Sequence, residues 1–310
     1  MSVAAIDCGT NSTRLLIADD TGRALRREMR ITRLGQDVDA TGTLADEALQ
    51  RNFDVLTQYA RFMDDARVTR SRLIATSAAR DAANGAFFLE RAAEITGARV
   101  ALLSGNEEAQ LSLRGATADL PDVDVPTMIL DIGGGSTEMA AMINDTLLAF
   151  SMQLGCVRVT ERALGVGVLT TAARERANEM IEAEIQRAWS HVPDFERLVG
   201  RVRVVGLAGT VATLAQLVSG VAEYDRERVH HQRIALVDVV EWCERLGREE
   251  PPARLRFPGM VVGREDVLPA GLLILESVLR RFEVKEILSS ENDILDGLAA
   301  TMVTDLNVEP

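Results

Sequence analysis

Thr127-Met128-Ile129-Leu130-Asp131-Ile132-Gly133-Gly134-Gly135-Ser136-Thr137-Glu138-Met139-Ala140-Ala141-Met142 reads as apolar strand, glycine turn, apolar strand. Asp131 closes the first strand, and Ser136, Thr137 and Glu138 open the second. Asn144-Asp145 then supplies a turn signal. Three consecutive glycines accept backbone conformations that other residues resist and let a ligand approach the main chain. Successive N–H groups in such a turn form an anion-binding concavity. Asp131 and Glu138, one on each side, are suited to a hard cation such as Mg²⁺, held directly or through water. A tight hairpin with a polar tip is the plainer reading of the same residues.

A second stretch bears on that choice. After the apolar run Val3-Ala4-Ala5-Ile6 come Asp7-Cys8-Gly9-Thr10-Asn11-Ser12-Thr13 and then Leu15-Leu16-Ile17-Ala18. The pattern D-x-G-x-x-S-T therefore occurs twice, each time after a strand, and its spacing of 124 residues is too long for a solenoid repeat. It suits two related domains, each offering a polar hairpin to a shared cleft.

The chain has 310 residues, 47% of them hydrophobic and 26% charged, an ordinary balance for one large or two smaller globular domains. No apolar run is long enough to span a membrane, and the N-terminus lacks a basic leader with an apolar stretch. A cytoplasmic location is the expectation. The net charge of −13 disfavours nucleic acid and anionic membrane as partners. Cys8, Cys156 and Cys243 are scattered and odd in number, which argues against a disulfide framework or a zinc site. His230-His231 is a candidate ligand pair, with a structural role favoured. Lys285 is the only lysine and no GKS or GKT occurs, so a Walker A loop is excluded.

The remaining candidates sit where predicted strands end. Residues 26–32 read as a strand, and Thr43 as the N-cap of a helix with Leu49, Phe53, Leu56, Ala60 and Met63 on one face. Arg80 follows the strand 72–76, a position where open α/β sheets place ligands. Ser104 and Glu107 have capping-box spacing, which gives Glu107 a structural role and leaves Glu108 able to do chemistry. Residues 119–126 are polar and proline-bearing, as expected of a domain boundary. Ala208-Gly209-Thr210 turns a strand into a helix, an entry suited to a phosphate or a nucleoside. Pro251-Pro252 breaks the chain, 269–282 is an apolar buried helix, and a final helix starts near Ser290 or Asn292.

Seven stretches together resemble the exopolyphosphatase / guanosine pentaphosphate phosphohydrolase (Ppx/GppA) family. They are Ala5-Ile6-Asp7-Cys8-Gly9-Thr10-Asn11-Ser12, Ala75-Thr76-Ser77-Ala78-Ala79-Arg80-Asp81, Leu103-Ser104-Gly105-Asn106-Glu107-Glu108-Ala109, Asp131-Ile132-Gly133-Gly134-Gly135-Ser136-Thr137-Glu138, Leu154-Gly155-Cys156, Gly206-Leu207-Ala208-Gly209-Thr210 and Val267-Leu268-Pro269-Ala270-Gly271. They run in the family's order over nearly the whole chain. The resemblance implies an α/β fold of two ribonuclease-H-like domains of the actin / sugar kinase / Hsp70 superfamily flanking an interdomain cleft. The expected domains are 1–124, joined by a C-terminal helix over 291–310, and 125–290. It also implies Mg²⁺-dependent release of terminal phosphate from inorganic polyphosphate, with Glu108 as the catalytic base. Asp131 and Glu138 map to metal or water positioning. Asp7, Gly9, Thr10, Asn11 and Ser12, with Gly133, Gly134, Gly135, Ser136 and Thr137, map to phosphate binding; Arg80 and Gly209 are further substrate contacts. Thr10 stands where many members have Ser, and Asp37 where a second glycine is common. The chain stops where longer members continue into helical domains. Guanosine pentaphosphate 5′-phosphohydrolase is the close alternative; a sugar kinase or actin-like ATPase, and a non-catalytic polyphosphate or alarmone sensor, are more distant ones. A homodimer is the default for an oligomer.

Overall fold

A computed structural model describes residues 1–308, with side chains to residue 304. The last two residues of the helix expected over 291–310 lie outside the described residues. The chain divides into two compact units, Met1–Ala118 joined by the segment from Asp293 onward, and Asp119–Asn292.

The first unit carries β1 (Ser2–Cys8), β2 (Ser12–Asp19), β3 (Ala24–Ile31), β4 (Arg70–Ala75) and β5 (Arg99–Leu102) in the order β3-β2-β1-β4-β5. β1 is apolar without alternation because both sheet faces are covered. Ala4, Ile6 and Cys8 join a core with Leu56, Tyr59 and Phe88 of the helices Asp46–Asp65 and Gly85–Thr96. Val3 and Ala5 point the other way, onto Ile294, Leu298 and Met302 of the helix Ile294–Val308. That helix crosses the helix Gly105–Thr117 backbone to backbone. A Cβ on Gly115 would overlap the Asp293 carbonyl, and one on Gly297 the Leu111 carbonyl.

The second unit carries β6 (Thr127–Ile132), β7 (Thr137–Ile143), β8 (Thr146–Met152), β9 (Arg203–Leu207), β10 (Arg233–Ala235) and β11 (Glu286–Ser289) in the order β10-β11-β9-β6-β7-β8. Read from β8, this sheet repeats the first: an antiparallel meander, then two parallel strands, with β10 added antiparallel at the edge. The α/β class and the doubled ribonuclease-H-like order are as the sequence predicts. The helix Leu268–Arg281 is buried along most of its length, and with Ile181 and Ile185 of the helix Thr171–His191 it forms the core. Among the described residues, no helix is long and apolar enough to cross a membrane.

Several local expectations are corrected. Thr43 caps nothing: the helix starts at Asp46 after Ala45, while the Thr43 carbonyl accepts the Thr41 hydroxyl at 3.0 Å. Residues Ser77–Asp81, directly after the strand, form a short helix that the sequence does not announce. Pro251 and Pro252 begin the helix Pro251–Arg254, where a missing N–H costs nothing. The final helix starts at Ile294, and Asp293 Oδ1 accepts the Leu295 N–H at 2.9 Å, taking the role expected of Ser290 or Asn292. The edge strand β10 was not legible in the sequence, because it contributes only three residues.

Candidate active site

In the first unit the β1–β2 turn is closed by the Gly9 N–H donating to the Ser12 carbonyl at 3.0 Å. Asp7 lies opposite Arg14 across the β1–β2 pair. Arg14 Nε and Nη2 donate to Asp7 Oδ2 at 3.1 and 2.6 Å, and Arg14 also pairs with Asp293. Burial pushes Asp7 above its ordinary value, against the pull of Arg14. Arg14 thus engages one oxygen of Asp7, while Asp7 Oδ1 is buried without a hydrogen-bond partner. The Thr10 hydroxyl is buried and shares a hydrogen bond of 2.9 Å with Ser77. Asn11 and Ser12 are partly exposed.

Glu107 and Glu108 separate as their spacing predicts. Ser104 caps the helix Gly105–Thr117, and Glu107 Oε2 accepts the Ser104 N–H at 2.8 Å and its hydroxyl at 2.7 Å, completing a capping box. These hydrogen bonds hold Glu107 below its ordinary value. Glu108 is turned inward and is only 9% exposed. Arg80 Nη1 stands 3.8 Å from Glu108 Oε2 and donates to the Leu103 carbonyl at 2.7 Å. Arg80 Nη2 is buried without a hydrogen-bond partner. The short helix after β4 thus places a guanidinium beside the carboxylate, instead of leaving Arg80 on the surface.

In the second unit the Gly133 N–H donates to the Ser136 carbonyl at 3.0 Å, the same bond as in the first turn. Asp131 and Glu138 are paired directly across β6 and β7, so both carboxylates project from one face of the sheet. Both are buried, and Ser151 Oγ donates to Glu138 Oε1 at 2.7 Å. The contrast with Asp7 and Arg14 is informative: the equivalent row in the second unit places acid against acid. Like charges directly opposite on a sheet repel, and a hard divalent cation offsets them. Two carboxylates on one face of the sheet are a donor set suited to a hard divalent cation. Thr137 is placed differently from its prediction, since its buried hydroxyl donates to the Leu154 carbonyl at 2.5 Å and braces the turn. At the end of β9, Ala208 adopts a left-handed φ of 61°, uncommon for a residue with a side chain. The next residue, Gly209, leaves room for the Arg264 guanidinium to lie against the backbone, and Arg264 Nη1 donates to Thr213 Oγ1 at 3.1 Å. Nothing in the local spacing of the sequence singles out Arg264.

A profile of the Ppx/GppA phosphatase family matches residues 16–305. The chain belongs to this family. Exopolyphosphatase 2 of Mycobacterium tuberculosis is 39% identical over 317 aligned residues, covering 97% of this chain and 98% of the relative. The crystal structure of an exopolyphosphatase-like protein superposes with a TM-score of 0.92 at 32% identity, covering 99% of this chain and 100% of that one. The Ppx/GppA member from Aquifex aeolicus gives 0.80 at 28% identity, covering 100% and 99%.

Two features of this Ppx/GppA chain lie apart from these residues. A surface hollow of about 450 Å³, lined by Asp124, Val125, Pro126, Ile143, Arg197 and Arg201, contains none of them. Asp119, His230 and His231 cluster closely enough to suggest a metal site. However, the Glu291 N–H donates to His230 Nδ1 at 3.0 Å, so Nε2 carries the proton that Asp119 Oδ2 accepts at 2.9 Å. A ligating histidine needs the opposite arrangement. His230 thus ties residues 119 and 291 together by hydrogen bonds.

Proposed function

We propose that this chain is an exopolyphosphatase: it hydrolyses the terminal phosphoanhydride bond of inorganic polyphosphate and releases orthophosphate, with Glu108 as general base. The observation that carries this reading is the division of labour at the start of the helix Gly105–Thr117. Glu107 completes the cap, and Glu108, buried beside Arg80, is not required for it. A relative 39% identical over nearly the whole chain is named an exopolyphosphatase.

The roles follow from the residues. Glu108 accepts a proton from the attacking water and orients it. Arg80 presents N–H groups suited to phosphate oxygens. The turns at 9–12 and 133–136 offer main-chain N–H groups, joined by the Ser12 and Ser136 hydroxyls. Asp131 and Glu138 would hold Mg²⁺, which supplies charge compensation at the phosphate oxygens. The net charge of −13 repels polyphosphate as it repels nucleic acid and anionic membrane, so attraction of this substrate must be local, from Arg80, the main-chain N–H groups and the metal.

The test is phosphate release from polyphosphate, guanosine pentaphosphate and ATP, each with Mg²⁺ and with chelator. Release from polyphosphate that chelator abolishes supports the reading. Release from guanosine pentaphosphate alone would transfer the chain to the alarmone branch, and silence on all three would refute hydrolysis. Mg²⁺ binding to wild type and Asp131→Asn, followed by calorimetry, tests the metal assignment without relying on turnover; equal affinity would overturn it.

A further inference from the structure

The internal duplication extends beyond D-x-G-x-x-S-T. Each meander ends in a buried leucine followed by a buried glycine: Leu34-Gly35 after β3 and Leu154-Gly155 after β8. Each of these segments turns back onto the glycine-bearing turn of its own unit and takes up that turn's carbonyl groups. In the first unit, the Thr32 and Arg33 N–H groups donate to the Asn11 carbonyl at 3.1 and 3.0 Å, and the Gly35 N–H to the Thr10 carbonyl at 2.9 Å. In the second, the Cys156 N–H donates to the Gly133 carbonyl at 2.9 Å, and the Val157 and Arg158 N–H groups to the Gly134 carbonyl at 2.9 and 3.1 Å. The pattern is two consecutive carbonyls and three donors, in both units.

These bonds decide which way the turns face. In a trans peptide, C=O and the following N–H point in opposite directions, and no peptide bond among the described residues is cis. Holding the Thr10 and Asn11 carbonyls against the 32–35 segment aims the Asn11 and Ser12 N–H groups away from it. Holding the Gly133 and Gly134 carbonyls against the 155–158 segment does the same for the Gly134 and Gly135 N–H groups. A flexible glycine turn would otherwise present carbonyl oxygens as readily as N–H groups, and carbonyl oxygens repel phosphate.

We infer that Gly35 and Gly155 are positioning residues that orient the two turns for phosphate, an inference that rests on the proposed phosphate-chain substrate. The glycine requirement is spatial rather than conformational. Gly155 has φ −142° and ψ 165°, extended backbone open to any residue, yet a Cβ there would overlap the Gly134 carbonyl and crowd Gly135 N. A Cβ on Gly35 would overlap Thr10 Cγ2 and lie 3.0 Å from Ala78 Cβ. The same geometry accounts for Asp37. It is exposed and has a left-handed φ of 59°, a conformation that suits glycine and that aspartate tolerates. Asp37 therefore serves the path of the backing loop.

The experiment measures tripolyphosphate binding by calorimetry in a Glu108→Gln background, and KM and kcat in the parent, for Gly35→Ala and Gly155→Ala. Gly259→Ala is the control for a purely structural effect: its Cβ would lie 2.7 Å from the Gln216 main chain, away from either turn. Tilting two N–H groups off a phosphate weakens binding by roughly ten- to a hundredfold. The expected result is that loss in both turn variants, seen as raised KM with a smaller change in kcat. Gly259→Ala should lower the melting temperature and leave affinity unchanged. Wild-type affinity in folded Gly35→Ala and Gly155→Ala would overturn the inference. Gly35→Ala, which meets a side chain rather than backbone, decides the matter if Gly155→Ala does not fold. Wild-type protein that binds tripolyphosphate without hydrolysing it would refute the proposed activity, while the binding comparison would still test the turns.

Discussion

The adjacent pair Glu107 and Glu108 offers a test in which two neighbouring carboxylates should fail in opposite ways. Glu108→Gln preserves volume and leaves the capping box intact, because Ser104 and Glu107 alone form it. The variant forfeits the ion pair at 3.8 Å to a partly exposed Arg80, a contact worth about 1 kcal/mol. In a chain of this size that corresponds to a shift of melting temperature of roughly 2–4 °C. Loss of a general base, by contrast, lowers the rate by about 10²–10⁴, or roughly 2.7–5.4 kcal/mol of barrier. Glu107→Ala should do the reverse. It removes two hydrogen bonds, to the Ser104 N–H and hydroxyl, and costs about 0.5–2 kcal/mol of stability with turnover within about threefold of wild type. The assays are phosphate release from polyphosphate with saturating Mg²⁺ and urea denaturation of each variant. If Glu108→Gln keeps turnover, or if Glu107→Ala loses as much as Glu108→Gln, then the position of the helix, not the Glu108 carboxylate, governs the rate, and the assignment fails.

Three further outcomes follow from the packing and the titrating groups. Ser104 holds Glu107 below its ordinary value, so its contribution is present above the ordinary carboxylate range and fades as pH falls through the folded value; the stability gap between wild type and Glu107→Ala should close on acidification, and a gap that widens would contradict the sign. Gly115→Ala places a methyl into the Asp293 carbonyl where two helices cross and should lower stability by about 1–3 kcal/mol, read from the urea midpoint; an unchanged midpoint would refute the close crossing. Burial pushes the Cys156 thiol up to about 11 and the Cys243 thiol up to about 12, and holds Cys8 well above its ordinary value, with Asp7 adding to the effect. A thiol-specific disulfide reagent near neutral pH should therefore label none of them in the native protein and all three in denaturant, and rapid native labelling would show the burial to be wrong.

The sequence by itself determined whatever depends on neighbours along the chain. The doubled D-x-G-x-x-S-T, the apolar strands around it and the Ser104–Glu107 capping box all follow from local spacing, since turns, pleat alternation and helix caps are set within a few residues. The membership of the family was legible for the same reason: its motifs are short and in order. Other features were decided by tertiary structure because they join residues far apart in the chain. Arg14, which holds Asp7, also pairs with Asp293, whereas Ser151 reaches Glu138, the residue opposite Asp131, so two identical sequence motifs acquire different surroundings. The Thr137 hydroxyl is spent on Leu154, and Gly209 lies beneath Arg264. Nothing in the spacing of Leu34-Gly35 or Leu154-Gly155 reveals that each lies against a turn some twenty residues earlier; that contact exists only once the meander between them has folded into a sheet and brought its two ends together.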